Sequence, residues 1–338
     1  MKRRLVLLPN WMGDAVMAEP ALRALGHSAA SKDVEMIGIG RAASVAALRG
    51  HDAFSEFKVI SDSGLLGPWK AGRLLKSFGA EEVLLLRNSP RSALLAKASG
   101  AATRIGFARG GRGSLLTLAV PPSETKGPTP AVDEYATLIE CAYGIEVTDR
   151  TPRLSTTPEE RAAALQLLEG LSTPIVALVP GGSKLPKRWP AARFAALADH
   201  LAEELGAKTL LLGSPEEAPT ITAVGEAANT PVLNLINAGL SLESLRGVIE
   251  RADLLITNDT GPRHLAAALG TQAIVLFGPT DHRWTSLSGV DETLLLAEPF
   301  LDEAHLADDH AQMCSVERIA VGDVLFHARK RLALGANT

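Results

Sequence analysis

The chain has 338 residues, 46% of them apolar, and a formal net charge of −4. That length is too great for one ordinary hydrophobic core and suits two domains of roughly 150 residues each, and the lack of any uninterrupted apolar run of about 18 residues argues against a membrane span. Cys141 and Cys314 form neither a disulfide framework nor a metal-ligand pattern, and the run LVLLP behind the basic start is too short for a signal-peptide core, so a cytoplasmic location is expected.

The first half alternates apolar runs with helical patterns, as βαβ units do. Strands are predicted at KRRLVLLP, VEMIGI, EEVLLLRN and RIGF, and helices at AVMAEPALRALG and PRSALLAKASG. Behind the first strand, NWMGD puts Gly13 in a tight turn and Asp14 at the opening of a helix. Asp14 reads there either as an N-cap or as a general base within hydrogen-bond reach of a substrate hydroxyl. Gly38-Ile39-Gly40-Arg41-Ala42-Ala43 matches the G-x-G-x-x-A fingerprint of dinucleotide binding, with Asp62 about 20 residues on, which leaves an NAD-dependent oxidoreductase as a reading from another class. The match is a lone one and follows the second apparent strand instead of the first.

PWKAGRLLKSF, placed on a helix, brings Leu74, Leu75 and Phe78 near Trp69 with lysines alongside. Packing of that apolar face into the first domain is the favoured expectation; peripheral contact with an anionic bilayer is the other. Residues 1–150 hold 19 Lys/Arg against 15 Asp/Glu, which leaves 15 against 23 for the remainder. The excess is concentrated between Lys70 and Arg112, where nine basic residues meet only Glu81 and Glu82, and it predicts an anionic partner for the first half. Nucleic acid is not expected, since aromatics in the stretch are few and no nucleic-acid motif is present. GFARGGRGS, with Gly110, Gly111 and Gly113 among its arginines, predicts a mobile loop.

The segment TDRTPRLSTTPEE, at about 148–160, is rich in Thr, Pro and charge and is the best linker candidate. Beyond it the βα scheme repeats with strands at PIVALVPG, AKTLLLGS, PVLNL, ADLLITND, QAIVLFGP and ETLLLAE and helices at about 190–205, 215–228, 241–251 and 261–269. VERIAVGDVLFHARKRLAL, residues 316–334, reads as an amphipathic terminal helix. Both halves therefore read as α/β, with doubly wound parallel sheets whose ligands bind at the carboxyl ends of the strands.

Three turns of the second half carry chemistry. GGSKLPKRWP combines two glycines, a serine and two lysines, which suits a phosphate: glycine lets backbone N–H groups approach an anion and lysine adds a point charge. It is not a P-loop. SPEEAP sets Glu216 and Glu217 at a helix start, where a carboxylate can simply complement the helix dipole. TNDTGPRH ends a strand and opens a helix; Asp259 or Thr260 can cap that helix, Gly261 leaves N–H groups open to an anion, and His264 lies within its first turns. Taken together, the turns point to a nucleotide diphosphate pocket.

NWMGD, RNSPRSALLAKASGAATRIGF, PGGSKLPKRWP, LLGSPEE, TNDTGPRHLAAALG and FGPTD, spread over about residues 4–285, resemble the heptosyltransferases of glycosyltransferase family 9, and the RNSPRSALLA stretch favours their type II members. The resemblance implies a GT-B fold, two Rossmann-like domains facing across a cleft: residues 1–155 binding the acceptor and 156–315 binding ADP-heptose, with the terminal helix, about 316–334, packing back on the first. It implies inverting transfer of L-glycero-D-manno-heptose from ADP-heptose to the inner-core heptose of lipopolysaccharide. No metal or cofactor is expected, since Lys187 and helix N–H groups can meet the charge growing on the leaving ADP. The acceptor, a heptose on Kdo-lipid A at the inner leaflet, would bring the protein to the cytoplasmic face of the inner membrane. Type I members, which add to Kdo, share the donor motifs and remain the alternative.

Carried over by position, the resemblance makes Asp14 the catalytic base and Lys187 the catalytic cation. Ser183 and Lys187 would hold the diphosphate, Glu217 the ribose and Leu240 the adenine, with Asp259 toward the heptose, Thr260 and Gly261 on phosphate and His264 lining the site. The basic stretch gains a role beside these positions: its Arg87, Arg91, Arg104, Arg109 and Arg112 would bind the phosphates and carboxylates of the acceptor. The chain departs from many relatives after the last strand, where only Cys314 is retained and residues 302–310 are acidic.

Overall fold

The computed structural model describes residues 2–122, 127–182, 184–297, 305–310 and 314–335. The chain divides into two compact units: one runs to Ser155 and takes in Arg283–Ser288, and the other comprises Thr156–His282 and the chain from Gly289 on.

The first unit is built from β1 (Lys2–Leu7), α1 (Met12–Met17), α2 (Glu19–Ser31), β2 (Val34–Gly40), α3 (Ala42–Ala47), β3 (Glu56–Val59), α4 (Gly67–Leu75), β4 (Glu82–Leu85), α5 (Pro90–Ala98), β5 (Thr103–Phe107), β6 (Leu118–Val120) and α6 (Ala131–Tyr143). Its strands form one parallel sheet in the order β3-β2-β1-β4-β5-β6. Leu5 of β1 pairs with Ile37 on one side and Val83 on the other, and all three are buried. Such central strands are covered on both faces, which is why they read as unbroken apolar runs. β3 and β6 lie at the edges; EFKV and LAV are short and largely exposed, and no apolar run announces them.

The second unit repeats the plan with α7 (Pro158–Leu167), β7 (Ile175–Val179), α8 (Ala191–Leu205), β8 (Lys208–Leu211), α9 (Ala218–Ala227), β9 (Val232–Asn234), α10 (Leu245–Arg251), β10 (Leu254–Asn258), α11 (Gly261–Leu269), β11 (Ala273–Phe277), β12 (Glu292–Leu296) and α12 (Val321–Gly335). Its parallel sheet runs β9-β8-β7-β10-β11-β12, the same doubly wound order as the first. Helix α7 begins inside the segment that reads as a linker: Thr157 and Glu160 close a capping box around Pro158, so polar residues there start a helix.

Helix α12 corrects one expectation. It belongs to the second unit and packs on α8 there, with Val324, Leu325 and Ala328 buried in one cluster with Trp189 and Phe194. Arg329 reaches Glu204 of α8, and Arg331 reaches Asp291 and Thr293. Just before the helix, the Ile319 carbonyl accepts from the Trp189 indole at 2.9 Å. The apolar stripe of the terminal helix thus finds its core beside α8.

In each sheet the winding direction reverses beside the first strand, between β1 and β4 and between β7 and β10. A crevice opens outside the carboxyl ends at such a switch point. The NWMGD turn leaves β1 there, and GGSKLPK and NDTG leave β7 and β10.

Candidate active site

In the second unit the two switch-point loops are locked together by Asn258. Its side chain, fully buried, donates to the carbonyls of Pro180 at 3.0 Å and Gly181 at 2.9 Å and accepts from the Trp189 N–H at 3.1 Å. A buried amide with its donors and acceptor satisfied fixes geometry, because any displacement leaves a polar group unpaired. Arg188 adds a second tie, from its Nε to the Gly182 carbonyl at 2.8 Å. The amide that ends this otherwise apolar strand thus holds the lysine loop in place.

On this frame Lys187 and Asp259 meet. The Lys187 ammonium lies 3.4 Å from Asp259 Oδ2, and Asp259 Oδ1 accepts from Arg263 at 3.1 Å. Arg263 is fully buried; its other donors fork onto Glu292 at 2.9 and 2.8 Å, and its guanidinium lies over the Phe277 ring at 4.9 Å. Burial alone would raise the Asp259 carboxyl, but Arg263 and Lys187 outweigh it and hold the acid below the usual carboxylate range. The result is a chain of alternating charge, Lys187–Asp259–Arg263–Glu292, with Lys187 at its partly exposed end.

The N-terminus of α11 lies beside this chain. Thr260 occupies the N-cap but its hydroxyl bonds Thr257 at 3.1 Å, and among the described residues no side chain caps the helix. The expected cap by Asp259 or Thr260 is therefore not made: Asp259 is taken by cations and Thr260 by its neighbour. In the first turn of α11 Pro262 has no N–H and the Arg263 N–H donates to the Thr260 carbonyl at 3.2 Å, so the Gly261 N–H is the backbone donor left to an anion, which the helix dipole favours. His264 is buried, which pushes its imidazole down to about 3 with Arg263 adding to the effect, and its Nδ1 has no hydrogen-bond partner among the described residues. It is a neutral ring with one unspent polar atom.

Glu217 stands where doubly wound nucleotide sheets carry their ribose-binding acid, after the strand next to the first. It closes a capping box with Ser214, its Oε2 accepting from the Ser214 N–H at 2.9 Å. Its carboxylate also fills the space above Gly181: a Cβ on that glycine would come within 2.1 Å of it. Capping and an approach to the GGSKLPK loop are thus served by one side chain. Leu240 is half-buried on the loop beyond β9. Ser183 lies outside the described residues, as do residues 302–304 of the acidic stretch.

In the first unit, Trp11 and not Asp14 is the N-cap of α1; Asp14 stands half-buried in the first turn. Tyr135 of α6 is the neighbour that sequence reading missed. Burial, with the carboxylates of Asp14 and then Glu134 beside it, pushes the Tyr135 hydroxyl well above its ordinary value. Glu134 in turn forks onto Arg109 at 2.7 and 3.0 Å, and Arg109 lies over Phe107 at 5.3 Å. Asp14, Tyr135, Glu134 and Arg109 thus share one neighbourhood at the carboxyl ends of β1 and β5.

The five arginines separate. Arg87 is buried and donates to the Leu8 carbonyl at 2.7 Å, faces Asp62 at 3.5 Å, and keeps Nη2 unpartnered among the described residues. Arg91 is exposed on α5 and holds the carbonyls of Asp62 and Gly64. Arg112 is fully buried, with donors on Phe107, Arg87, Ser92 and Asn88, and burial lowers its guanidinium to about 10. Arg104 lies near the start of β5, away from the carboxyl ends, and its donors go to the carbonyls of Leu115 and Ala101. Arg112 and Arg104 are therefore braces of the loops, which corrects their reading as acceptor contacts; Arg109 and Arg91 keep exposed surface, whereas the unpartnered Nη2 of Arg87 is buried. The dinucleotide reading also loses its basis. Gly38 and Gly40 lie inside β2, where a Cβ would strike Phe57 and Leu8, so both glycines serve packing.

Comparison with known proteins fits this geometry. The profile of glycosyltransferase family 9 (heptosyltransferase) matches residues 69–306. Lipooligosaccharide heptosyltransferase 2 of Campylobacter jejuni is 27% identical over 283 residues, 82% of each chain. Lipopolysaccharide heptosyltransferase 3 of Escherichia coli is 30% identical over 115 residues, and the match spans about a third of that relative's length, 34%. Among solved structures, ADP-heptose lipopolysaccharide heptosyltransferase II of E. coli superposes with a TM-score of 0.82 at 24% identity, covering 99% of each chain. The two Rossmann-like sheets are those of the GT-B fold. With a family match over most of its length, this chain belongs to glycosyltransferase family 9 and is a glycosyltransferase.

Proposed function

We propose that the enzyme transfers L-glycero-D-manno-heptose from ADP-heptose, with inversion, to the inner-core heptose of lipopolysaccharide. The observation that carries the donor half is the Lys187–Asp259 pair at 3.4 Å beside the uncapped start of α11. A diphosphate seated there meets the ammonium and the Gly261 N–H at the positive end of the helix dipole, and negative charge growing on the leaving ADP is met by donors already in position. Glu217 suits the ribose. Ser183 and Leu240 keep their proposed places on diphosphate and adenine. The neutral His264 ring lines the site as a hydrogen-bonding group.

Asp14 acts as the general base. A carboxylate in the first turn of a helix at the switch point can take the proton of an acceptor hydroxyl as it attacks the anomeric carbon from the face opposite ADP. Arg109, with Arg91, receives the anionic core, and the buried Arg87 adds its charge from behind them. Fixed cations and helix N–H groups supply the charge stabilisation, so the reaction needs no divalent metal, and turnover is expected to persist undiminished in EDTA; strict dependence on added Mg²⁺ would refute this. The wider assignment is tested by ADP release from ADP-heptose with Kdo-lipid A bearing or lacking its first heptose. Turnover on the heptosylated acceptor alone supports the reading, and turnover on the bare Kdo acceptor moves the enzyme to the type I reaction.

A further inference from the structure

Helix α4 and the turn before it present an apolar surface to solvent. Leu65 is 91% exposed, Leu66 58%, Trp69 45% and Leu74 70%. The opposite face is fixed: Ala71, Gly72 and Leu75 are buried, and α4 lies so close to α5 that a Cβ on Gly72 would come within 2.3 Å of the Leu95 carbonyl. Packing of this helix into the first unit, the favoured expectation from its sequence, thus accounts for one face only. Leu66, Trp69, Lys70, Arg73 and Leu74 follow helical spacing along the other, all of them exposed.

The charge on this surface has one sign. From Ser63 to Ala80 the chain carries Lys70, Arg73 and Lys76 and no acidic residue. The Arg73 guanidinium lies over the Trp69 ring at 4.7 Å, so cation and aromatic form one amphipathic unit. On the adjoining α5, Arg91, Leu94 and Lys97 are exposed at three-residue intervals. Aliphatic side chains that enter the acyl boundary, a tryptophan at headgroup level and cations that snorkel toward phosphate are what binding to the surface of an anionic bilayer requires. Among the described residues no helix is long and apolar enough to cross a membrane, so such binding would be peripheral.

We infer that the α4 surface docks the first unit on an anionic bilayer. The argument rests on the surface itself and takes from the proposed function only its biological sense, a lipid-borne acceptor. Flotation of the full chain with vesicles of phosphatidylcholine alone, and with phosphatidylglycerol added, tests it without substrate. Binding is expected only to the anionic vesicles and should weaken with salt. In Leu66→Ser/Trp69→Ser/Leu74→Ser, and separately in Lys70→Glu/Arg73→Glu, the bound fraction should fall by at least about tenfold, with circular dichroism and ADP release on a deacylated acceptor unchanged. Equal flotation of parent and variants, or no flotation of the parent, overturns the inference. A concentration-dependent dimer of the parent that both variants abolish also overturns it, assigning the surface to a second copy. Absence of turnover on any acceptor, with flotation intact, refutes the proposed activity and leaves the docking surface standing.

Discussion

The ammonium of Lys187 and the carboxylate of Asp259 stand 3.4 Å apart although 72 residues separate them, because Asn258 ties the two loops that carry them. Asp259 is in turn held by Arg263 from the first turn of α11. An ion pair this well braced does not stabilise the protein much on its own, since burial costs offset attraction. Its value lies in position: the charge of Lys187 is aimed before a ligand arrives.

Replacing Lys187 should therefore cost turnover more than stability. Lys187→Ala is expected to lower kcat by roughly 10²- to 10³-fold, about 3–4 kcal/mol of transition-state stabilisation, with a melting temperature close to that of the parent. ADP-release kinetics and a thermal scan on the same preparation check both halves. A loss of only a fewfold, or a collapse of stability, would remove Lys187 from the chemistry.

Arg263 should show the opposite balance. Its substitution by Met leaves the buried Glu292 carboxylate without its cation and Asp259 with Lys187 alone, which is expected to cost on the order of 3–5 kcal/mol in chemical denaturation. Glu292→Gln, which keeps the shape and one acceptor, should cost less. Equal and small effects in the two variants would contradict the charge chain.

The low value of His264, about 3, sets a pH dependence. The unfolded chain takes up a proton near pH 6.5 and the folded one does not, so His264 contributes stability that is full above about pH 6.5 and is lost as pH falls toward 3. Stability measured by denaturation should decline over that window, by at most about 1.4 kcal/mol per pH unit from this residue, and His264→Gln should flatten the slope. An unchanged slope would mean that the imidazole titrates freely.

Arg109 and Arg112 separate acceptor binding from bracing. Arg109→Ala should raise the acceptor KM and leave the ADP-heptose KM nearly unchanged. Arg112→Ala should mainly destabilise, by about 3 kcal/mol, because it strands several buried acceptors. The reverse pattern would restore Arg112 as an acceptor contact.

These distinctions mark what the sequence could convey. Central strands such as LLITN and IVALV are legible because burial on both faces demands continuous apolar residues. The edge strands EFKV and LAV carry no such demand. Switch-point turns were legible too, since glycine, lysine and acid cluster where the strands end. A count of charges could not tell Arg112, its donors spent on carbonyls and the Ser92 hydroxyl, from Arg109 three residues before it. Tyr135 was hidden for a related reason: an aromatic on an amphipathic helix reads as core until the helix is placed against Asp14. The terminal helix was recognised, but amphipathicity gives a stripe and not the surface that buries it.

The central claim, heptosyl transfer with Asp14 as the base, is tested most directly by single-turnover ADP release from ADP-heptose on the heptosylated Kdo-lipid A acceptor, comparing parent and Asp14→Asn. The variant should bind ADP-heptose and acceptor as the parent does while the chemical step slows by roughly 10²- to 10⁴-fold. A chemical step within a fewfold of the parent's would contradict the account and require another base.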